Sequence, residues 1–329
     1  MRARILVSVA TVVAALALPG CARPAATAGG DQPAGDGATT TVRFAGDGFP
    51  YGPLWLADGL YFGVEPRDDN NPHQLWRWRD GASAAERVNL KIDNCHPALL
   101  RPVRRPGGEL AVAAGCYVAG VFTTRMLAVD RSSGTTSVLF RSVPDLGAVV
   151  WSGDTAYASV STQLCSGVVR LVGDRLEAIE TGPSFDGLAW PASRWAAERA
   201  TTCPETGQVS FPVTLDGTAK VAALATRDPG DAATWTLYLA NADLTGAATP
   251  LAGGFSAVSR VATTPDGSRF VVVATRDSRA GLYTVDAAGG AVRLVRAGKL
   301  AGAAISPDGR KVASVSRDGG TTRLVVFAP

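Results

Sequence analysis

A strand-and-turn unit repeats in the last third of this chain, and no other feature limits its fold so tightly. Thr264-Pro265-Asp266-Gly267 is followed by the apolar run Ser268 to Thr275, then Arg276-Asp277, Gly281 to Asp286, Gly289-Gly290 and Ala291 to Val295. About 42 residues later the order recurs: Ser306-Pro307-Asp308-Gly309, Arg310 to Ser316, Arg317-Asp318, and Thr322 to Phe327. An earlier copy runs Leu215-Asp216-Gly217, Ala219 to Thr226, Arg227-Asp228 and Thr234 to Ala240. Each unit reads as short strands broken by Gly, Asp and Pro, and helical periodicity is nearly absent. The Pro-Asp-Gly element has a mechanical reason: proline presets φ, aspartate bonds back to the backbone, and glycine accepts positive φ.

Four strands in a unit of about 40–50 residues predict an all-β chain folded as a β-propeller. Hairpin turns recur near Gly59, Gly107, Gly153, Gly217, Gly267 and Gly309, which predicts six four-stranded blades. The widest interval, Gly153 to Gly217, fits an insertion around residues 183 to 208 and leaves a degenerate seventh blade open. The last unit holds only three strands before Pro329, whereas Thr41 to Ala45 is a strand with no unit of its own. That strand is expected to complete the last blade, closing the ring and removing an exposed edge.

The repeat resembles that of the TolB-like propellers, in which a Ser-Pro-Asp-Gly turn leads a strand and a later Asp-Gly-Gly turn joins the outer strands. The likeness is close over residues 256 to 329, fair over 208 to 250, and weak before that. Earlier blades carry Asp58-Gly59, Pro106-Gly107-Gly108 and Gly153-Asp154 instead. The resemblance implies a rigid ring and does not carry over TolB's partners.

The N-terminus predicts the address. Arg2 and Arg4 precede an apolar run from Ile5 to Leu18, too short for a bilayer core of ~30 Å but suited to an export signal. Leu18-Pro19-Gly20-Cys21 resembles the lipobox of bacterial lipoproteins, which implies cleavage before Cys21 and a lipid on its sulfur. The expected organisation is a signal peptide over 1–20, a tether over 21–40 that begins at lipidated Cys21, and a propeller over 41–329. The tether has no large aliphatic or aromatic side chain, so burial cannot offset its ordering entropy. The expected location is the outer face of the cytoplasmic membrane, held by the lipid alone.

Four other cysteines remain in a chain expected outside the cytoplasm: Cys95, Cys116, Cys165 and Cys203. An even count there predicts two disulfides. Cys95 and Cys116 fall about opposite each other across the blade-two hairpin, within disulfide reach. Cys165 with Cys203 would then tie down the insertion.

Chemistry is sparse. No nucleophile elbow, phosphate loop or zincin motif occurs, and only two histidines are present. Asp68, Asp69, His73 and His96, with Asn70 and Asn71, are weak candidates for a calcium-type site, although a run of this kind is more often a solvated turn. No cofactor is called for, and the lack of a complete catalytic constellation weighs against an enzyme. Arg67-Asp68, Arg227-Asp228, Arg276-Asp277 and Arg317-Asp318 each end a second strand. They read first as turns with exposed ion pairs, and second as a polar ring facing a partner. Arg101, Arg104 and Arg105 read as a solvated turn on the opposite face. Trp55, Tyr61, Phe62, Trp76 and Trp78 alternate as sheet-packing aromatics should.

The formal charge of +3 includes Arg2 and Arg4, so the exported part carries no basic footprint for nucleic acid. The function expected is that of a monomeric interaction or scaffold module bound to a cell-envelope protein. The alternative is a small-ligand, metal or hydrolase site centred on the channel.

Overall fold

The computed structural model describes residues 39–68, 70–118, 121–143, 146–152, 155–161, 166–172, 175–178, 208–214, 220–226, 234–241, 245–264, 267–289 and 291–329. They hold 23 β-strands and one short 3-10 turn, Pro106–Gly108. Among the described residues the named strands pair antiparallel, which within each unit follows from hairpin connections of two to about ten residues.

The first unit comprises β2 (Gly48–Leu56), β3 (Gly59–Pro66), β4 (Gln74–Trp78) and β5 (Glu86–Val88). The second comprises β6 (His96–Arg104), β7 (Leu110–Val118), β8 (Val121–Val129) and β9 (Thr136–Val143). The third comprises β10 (Leu146–Ser152), β11 (Thr155–Ser161), β12 (Ser166–Val172) and β13 (Arg175–Ala178). A seven-stranded sheet follows: β14 (Gln208–Thr214), β15 (Lys220–Thr226), β16 (Trp235–Asn241), β17 (Thr249–Thr263), β18 (Arg269–Arg276), β19 (Arg279–Asp286) and β20 (Val292–Ala297). The last sheet orders β1 (Thr40–Thr41) beside β23 (Thr321–Phe327), β22 (Val312–Asp318) and β21 (Leu300–Ile305).

The seven-stranded sheet departs from one sheet per blade. Its cause is β17, whose first half pairs with β16 up to Phe255 and whose second half pairs with β18. No reversing turn interrupts these 15 residues, so one strand is the outer edge of the fourth unit and the inner strand of the fifth.

The first strands of successive units touch in the order β2, β6, β10, β14, β17 and β21, and β21 returns to β2. Sheets arranged face to face around such a ring make a β-propeller. Among the described residues six first strands take part in this cycle of contacts. Of the expected insertion over residues 183 to 208, Gln208 opens β14 and the rest lies outside the described residues.

The core lies between neighbouring sheets because strand residues alternate from face to face. In the first unit Trp55, Phe62, Trp76 and Trp78 turn toward the last unit and pack with Ala304, Val315, Leu324 and Val326. Tyr61 and Leu75 turn the other way, onto Leu100, Val112 and Leu127 of the second unit. The blade-one aromatics are therefore inter-blade core, as their alternation suggests. Gly63 is required at this seam: a Cβ there would lie 2.4 Å from the Tyr51 ring and 2.5 Å from the Leu100 carbonyl oxygen.

The closing strand is shorter than expected and is shared between two units. Thr40 and Thr41 pair with Val326 and Val325, and the Val42 N–H donates to the Leu324 carbonyl. The chain then crosses to the first unit, where Phe44 bridges Ala85 in parallel fashion. The physical reason is aromatic packing: Phe44 lies edge-on to Phe62 at 5.7 Å and tilted against Trp76 at 5.6 Å.

Candidate functional site

Two faces follow from this topology. Turns between first and second strands lie on one, the turn face; loops between second and third strands lie on the other, the loop face. The inner strands start at the loop face and end at the turn face.

On the turn face Asp58 gathers a small network. It accepts hydrogen bonds from Tyr61 at 2.7 Å, Arg77 at 3.1 Å and Arg131 of the second unit at 2.7 Å. Arg77 also pairs with Glu86. Burial works to raise the Asp58 pKa, but the Tyr61 bond, the Arg131 charge and the Arg77 bond outweigh it and hold the carboxyl below its usual range. This network joins two units.

On the loop face the Cys95–Cys116 disulfide is present, with Cα atoms 5.1 Å apart. Cys116 lies inside β7 rather than after it, opposite Pro97, and is fully buried. Cys165 and Cys203 lie outside the described residues, as do Cys21, Asp69, Arg227 and Asp228.

The metal candidates divide. Asp68 accepts from the Asn70 N–H and from both the Asn70 and Asn71 side-chain amides, which makes it the pivot of a turn. His73 is tied to the ring wall instead: its Nδ1 lies 2.9 Å from the Tyr51 hydroxyl, and its N–H donates to the Pro97 carbonyl. His96 pairs with Tyr117 across β6 and β7. Among the described residues no three His, Cys, Asp or Glu side chains come together as a metal site.

Tyr51 also accepts the Leu100 N–H at 2.7 Å, so its own proton is directed at His73 Nδ1. Burial raises the Tyr51 pKa. Burial also lowers that of His73 below its ordinary 6.5, with Glu65 opposing and His96 assisting the shift. The unfolded chain therefore takes up this proton first. The contribution of neutral His73 to stability is complete above about pH 6.5 and declines as pH falls toward the folded value. Tyr51→Phe is expected to cost ~1–3 kcal/mol at pH 7, because it strands the Leu100 N–H and frees Nδ1. Urea titrations at pH 7 and pH 5 should show the variant losing less on acidification than the parent. An equal loss in both would mean that Tyr51 does not hold His73 neutral.

The three described Arg-Asp dipeptides end or follow second strands as expected, and Arg276–Asp277 is the pair among them with an internal ion pair. Arg67 reaches back to Asp47 at 2.7 Å, and its guanidinium sits 5.7 Å from the centre of the Phe49 ring. Arg276 lies only loosely by Asp277, at 3.9 Å, and rests on Phe255. Arg317 and Asp318 line a cavity of about 670 Å³ together with Arg296, Lys299, Leu300 and Ser316. Between the two described ends of this rim stand exposed aromatics. Phe49 is 38% exposed and Tyr117 55%, the latter edge-on to Phe122 at 5.4 Å.

The inner strands carry features that no local sequence pattern marks. Each of the six inner strands breaks register with its neighbour through a bulge, at residues 52–53, 98, 147–148, 211–212, 257–259 and 302. Bulges re-aim a strand and bend it, and here every described inner strand carries one. Arg101 follows the bulge of β6 and Arg260 that of β17. Arg104 and Arg105 do belong to the turn face, bonded to the Trp55 carbonyl and to Glu109 respectively. Arg101 does not: its Cγ lies 3.4 Å from where a Cβ on Gly52 would sit, against the neighbouring inner strand. Arg260 is unmarked in the sequence because a lone arginine in a strand has no motif around it.

No family model matches the chain, and no curated protein matches it. Solved structures do. A putative TolB from Agrobacterium tumefaciens superposes with a TM-score of 0.53 at 13% identity, covering 86% of this chain and 91% of that one. The two share the β-propeller fold. The propeller is also similar to an α-L-arabinofuranosidase from Fusarium graminearum in complex with an iminosugar inhibitor, at a TM-score of 0.57 and 12% identity over 89% and 98% of the two chains. A gluconolactonase from Xanthomonas campestris gives 0.54 and 12%, over 90% and 91%. At such identities the likeness concerns the fold alone. Among the described residues of the propeller, no helix is long and apolar enough to cross a membrane.

Proposed function

We propose that this propeller is an exported, lipid-anchored interaction module of the bacterial cell envelope, which meets a protein partner through its loop face. The observation that carries the reading is the pair of exposed aromatics, Phe49 and Tyr117, on a rim braced by the Cys95–Cys116 bridge. Phe49 lies under Arg67 and Tyr117 against Phe122, so both rings are held before any partner arrives. Preset aromatic and arginine groups lose little entropy on binding and dominate protein interfaces. Cys21, with the Leu18-Pro19-Gly20 sequence before it, supports the anchor.

Two measurements test the proposal. A photo-crosslinking residue in place of Tyr117 should form a covalent adduct with an envelope protein in living cells, and one in place of Ser132 on the turn face should not. Adducts from Ser132 alone would move the working surface to the other face. Cys21→Ala should abolish incorporation of labelled fatty acid and release the chain from the membrane fraction; continued labelling would end the lipoprotein reading.

A further inference from the structure

The loop-face cavity between the fifth and sixth units has walls that are described throughout. One wall is the β20–β21 connection, residues 296 to 300, and the other is the β22–β23 hairpin, residues 316 to 322. The Arg317 N–H donates to the Lys299 carbonyl at 2.8 Å, which ties the two walls together and sets their spacing. The mouth is open. Gly298, Gly319 and Gly320 adopt positive φ, and a Cβ on any of them would meet nothing within 4 Å. At about 670 Å³ the space is ample for a polar group of several heavy atoms.

Three cations line this cavity, Arg296, Lys299 and Arg317, against one carboxylate, Asp318. Lys299, Arg317 and Asp318 are exposed, and none of the three side chains has a hydrogen-bond or ion-pair partner among the described residues. Positive charges that converge on one concave space add their fields there. Arg296 is held in place: its guanidinium sits 4.6 Å from the centre of the Phe327 ring, and its Nη1 donates to Thr39 Oγ1 at 2.8 Å. That bond uses one of the five guanidinium N–H donors. Thr39 is the first described residue of the chain, so the N-terminal segment joins the propeller at a residue of the cavity wall. Cys21 stands 18 positions before it. At ~3.6 Å per residue, a lipid on Cys21 would hold Thr39 within about 65 Å of the bilayer.

We infer that this cavity receives the phosphate-bearing headgroup of an anionic phospholipid, in the membrane to which the chain is tethered. Arginine offers a planar fork of donors that matches phosphate oxygens, and lysine adds a point charge. Cation clusters beside a lipid anchor are drawn to anionic headgroups. Ser316, Thr321 and Thr322 supply hydroxyls for a polar headgroup, and Leu300 is the one large apolar residue of the lining, so acyl chains would stay outside. The membrane as the source of the phosphate rests on the lipid-anchored reading proposed above; the charge and space of the cavity do not. Docking here would bring the loop face of the fifth and sixth units to the bilayer and present the Phe49–Tyr117 rim at its surface.

Hydrogen exchange followed by mass spectrometry tests this, with the purified full chain mixed with vesicles of phosphatidylglycerol or of phosphatidylcholine. Amides in 296–300 and 316–322 should exchange about tenfold or more slowly with phosphatidylglycerol than with phosphatidylcholine. This comparison needs no variant. The double variant Lys299→Gln, Arg317→Gln should lose the difference while melting like the parent, since both side chains are exposed. Arg310→Gln, which removes a charge from the turn face, should keep it. Glycerol 3-phosphate without vesicles, at the same phosphate concentration, should give no such protection. Equal exchange with the two lipids would overturn the inference. So would a difference retained in the double variant, its loss in Arg310→Gln, or full protection by glycerol 3-phosphate alone. The chain is given directly to the vesicles, so a failure here is distinct from a failure of the anchor, which fatty-acid labelling of Cys21 reads.

Discussion

Deleting residues 40–46 is expected to abolish the cooperative melting transition of the full chain or lower it severely. Val42 is 3% exposed and packs among Trp55, Leu324 and Val326, so its removal opens the seam between the last and first units. Phe44 is lost from its contacts with Phe62 and Trp76 in the same step. A buried valine contributes ~1.5–3 kcal/mol by transfer, the half-buried Phe44 somewhat less than its full value, and the cavity they leave adds to that. Loss of the pairing to β23 also exposes a sheet edge that can recruit another chain. The total approaches ~5 kcal/mol or more, comparable with the whole stability of many domains. Calorimetric melting and light scattering would follow the two consequences, unfolding and association. A shortened chain that melts like the parent would mean that the ring is held closed without this segment.

Removing the Cys95–Cys116 bridge is expected to produce the next largest loss. The bridge spans 21 residues, and the chain-entropy relation assigns ~3 kcal/mol to a loop of that size. Cys116 is wholly enclosed among Leu100, Ala114 and Leu127, so the double change to alanine is the suitable comparison; serine would bury a hydroxyl. Urea titration should show the midpoint falling while the slope stays constant. Tyr117 directly follows Cys116 and pairs with Phe122, so proteolysis near residues 117–122 should also quicken. A double-alanine variant as stable as the parent would show that the β6–β7 ladder alone sets this hairpin.

The strand repeat, its turns and the inter-blade aromatics were all legible in the sequence because they are local. A Pro-Asp-Gly turn and an alternating strand depend on neighbours a few residues away, and chain order then dictates which hairpins form. The Cys95–Cys116 pairing belongs to the same class, since one hairpin register brings both residues together. The fusion of the fourth and fifth units through β17 was not legible, because nothing in Thr249–Thr263 says where one sheet hands over to the next. Nor was the division of the closing segment between two units, which depends on Phe44 finding Phe62 and Trp76. Asp68 and His73 looked alike in sequence, as two polar residues of one loop. Only the fold separated them, turning Asp68 onto its own loop and His73 onto Tyr51 of another strand.

The arginines mark the boundary most clearly. Arg101, Arg104 and Arg105 are near neighbours in the chain, yet the last two belong to a surface turn while the first lies within β6 against Gly52 of the neighbouring inner strand. Arg260 lies 159 positions beyond Arg101 in the numbering, and no local pattern connects them. Strand periodicity determines that a residue lies on an inner strand and which neighbours it faces. What converges on the axis is decided by ring closure, which superimposes the same level of six strands drawn from the whole length of the chain.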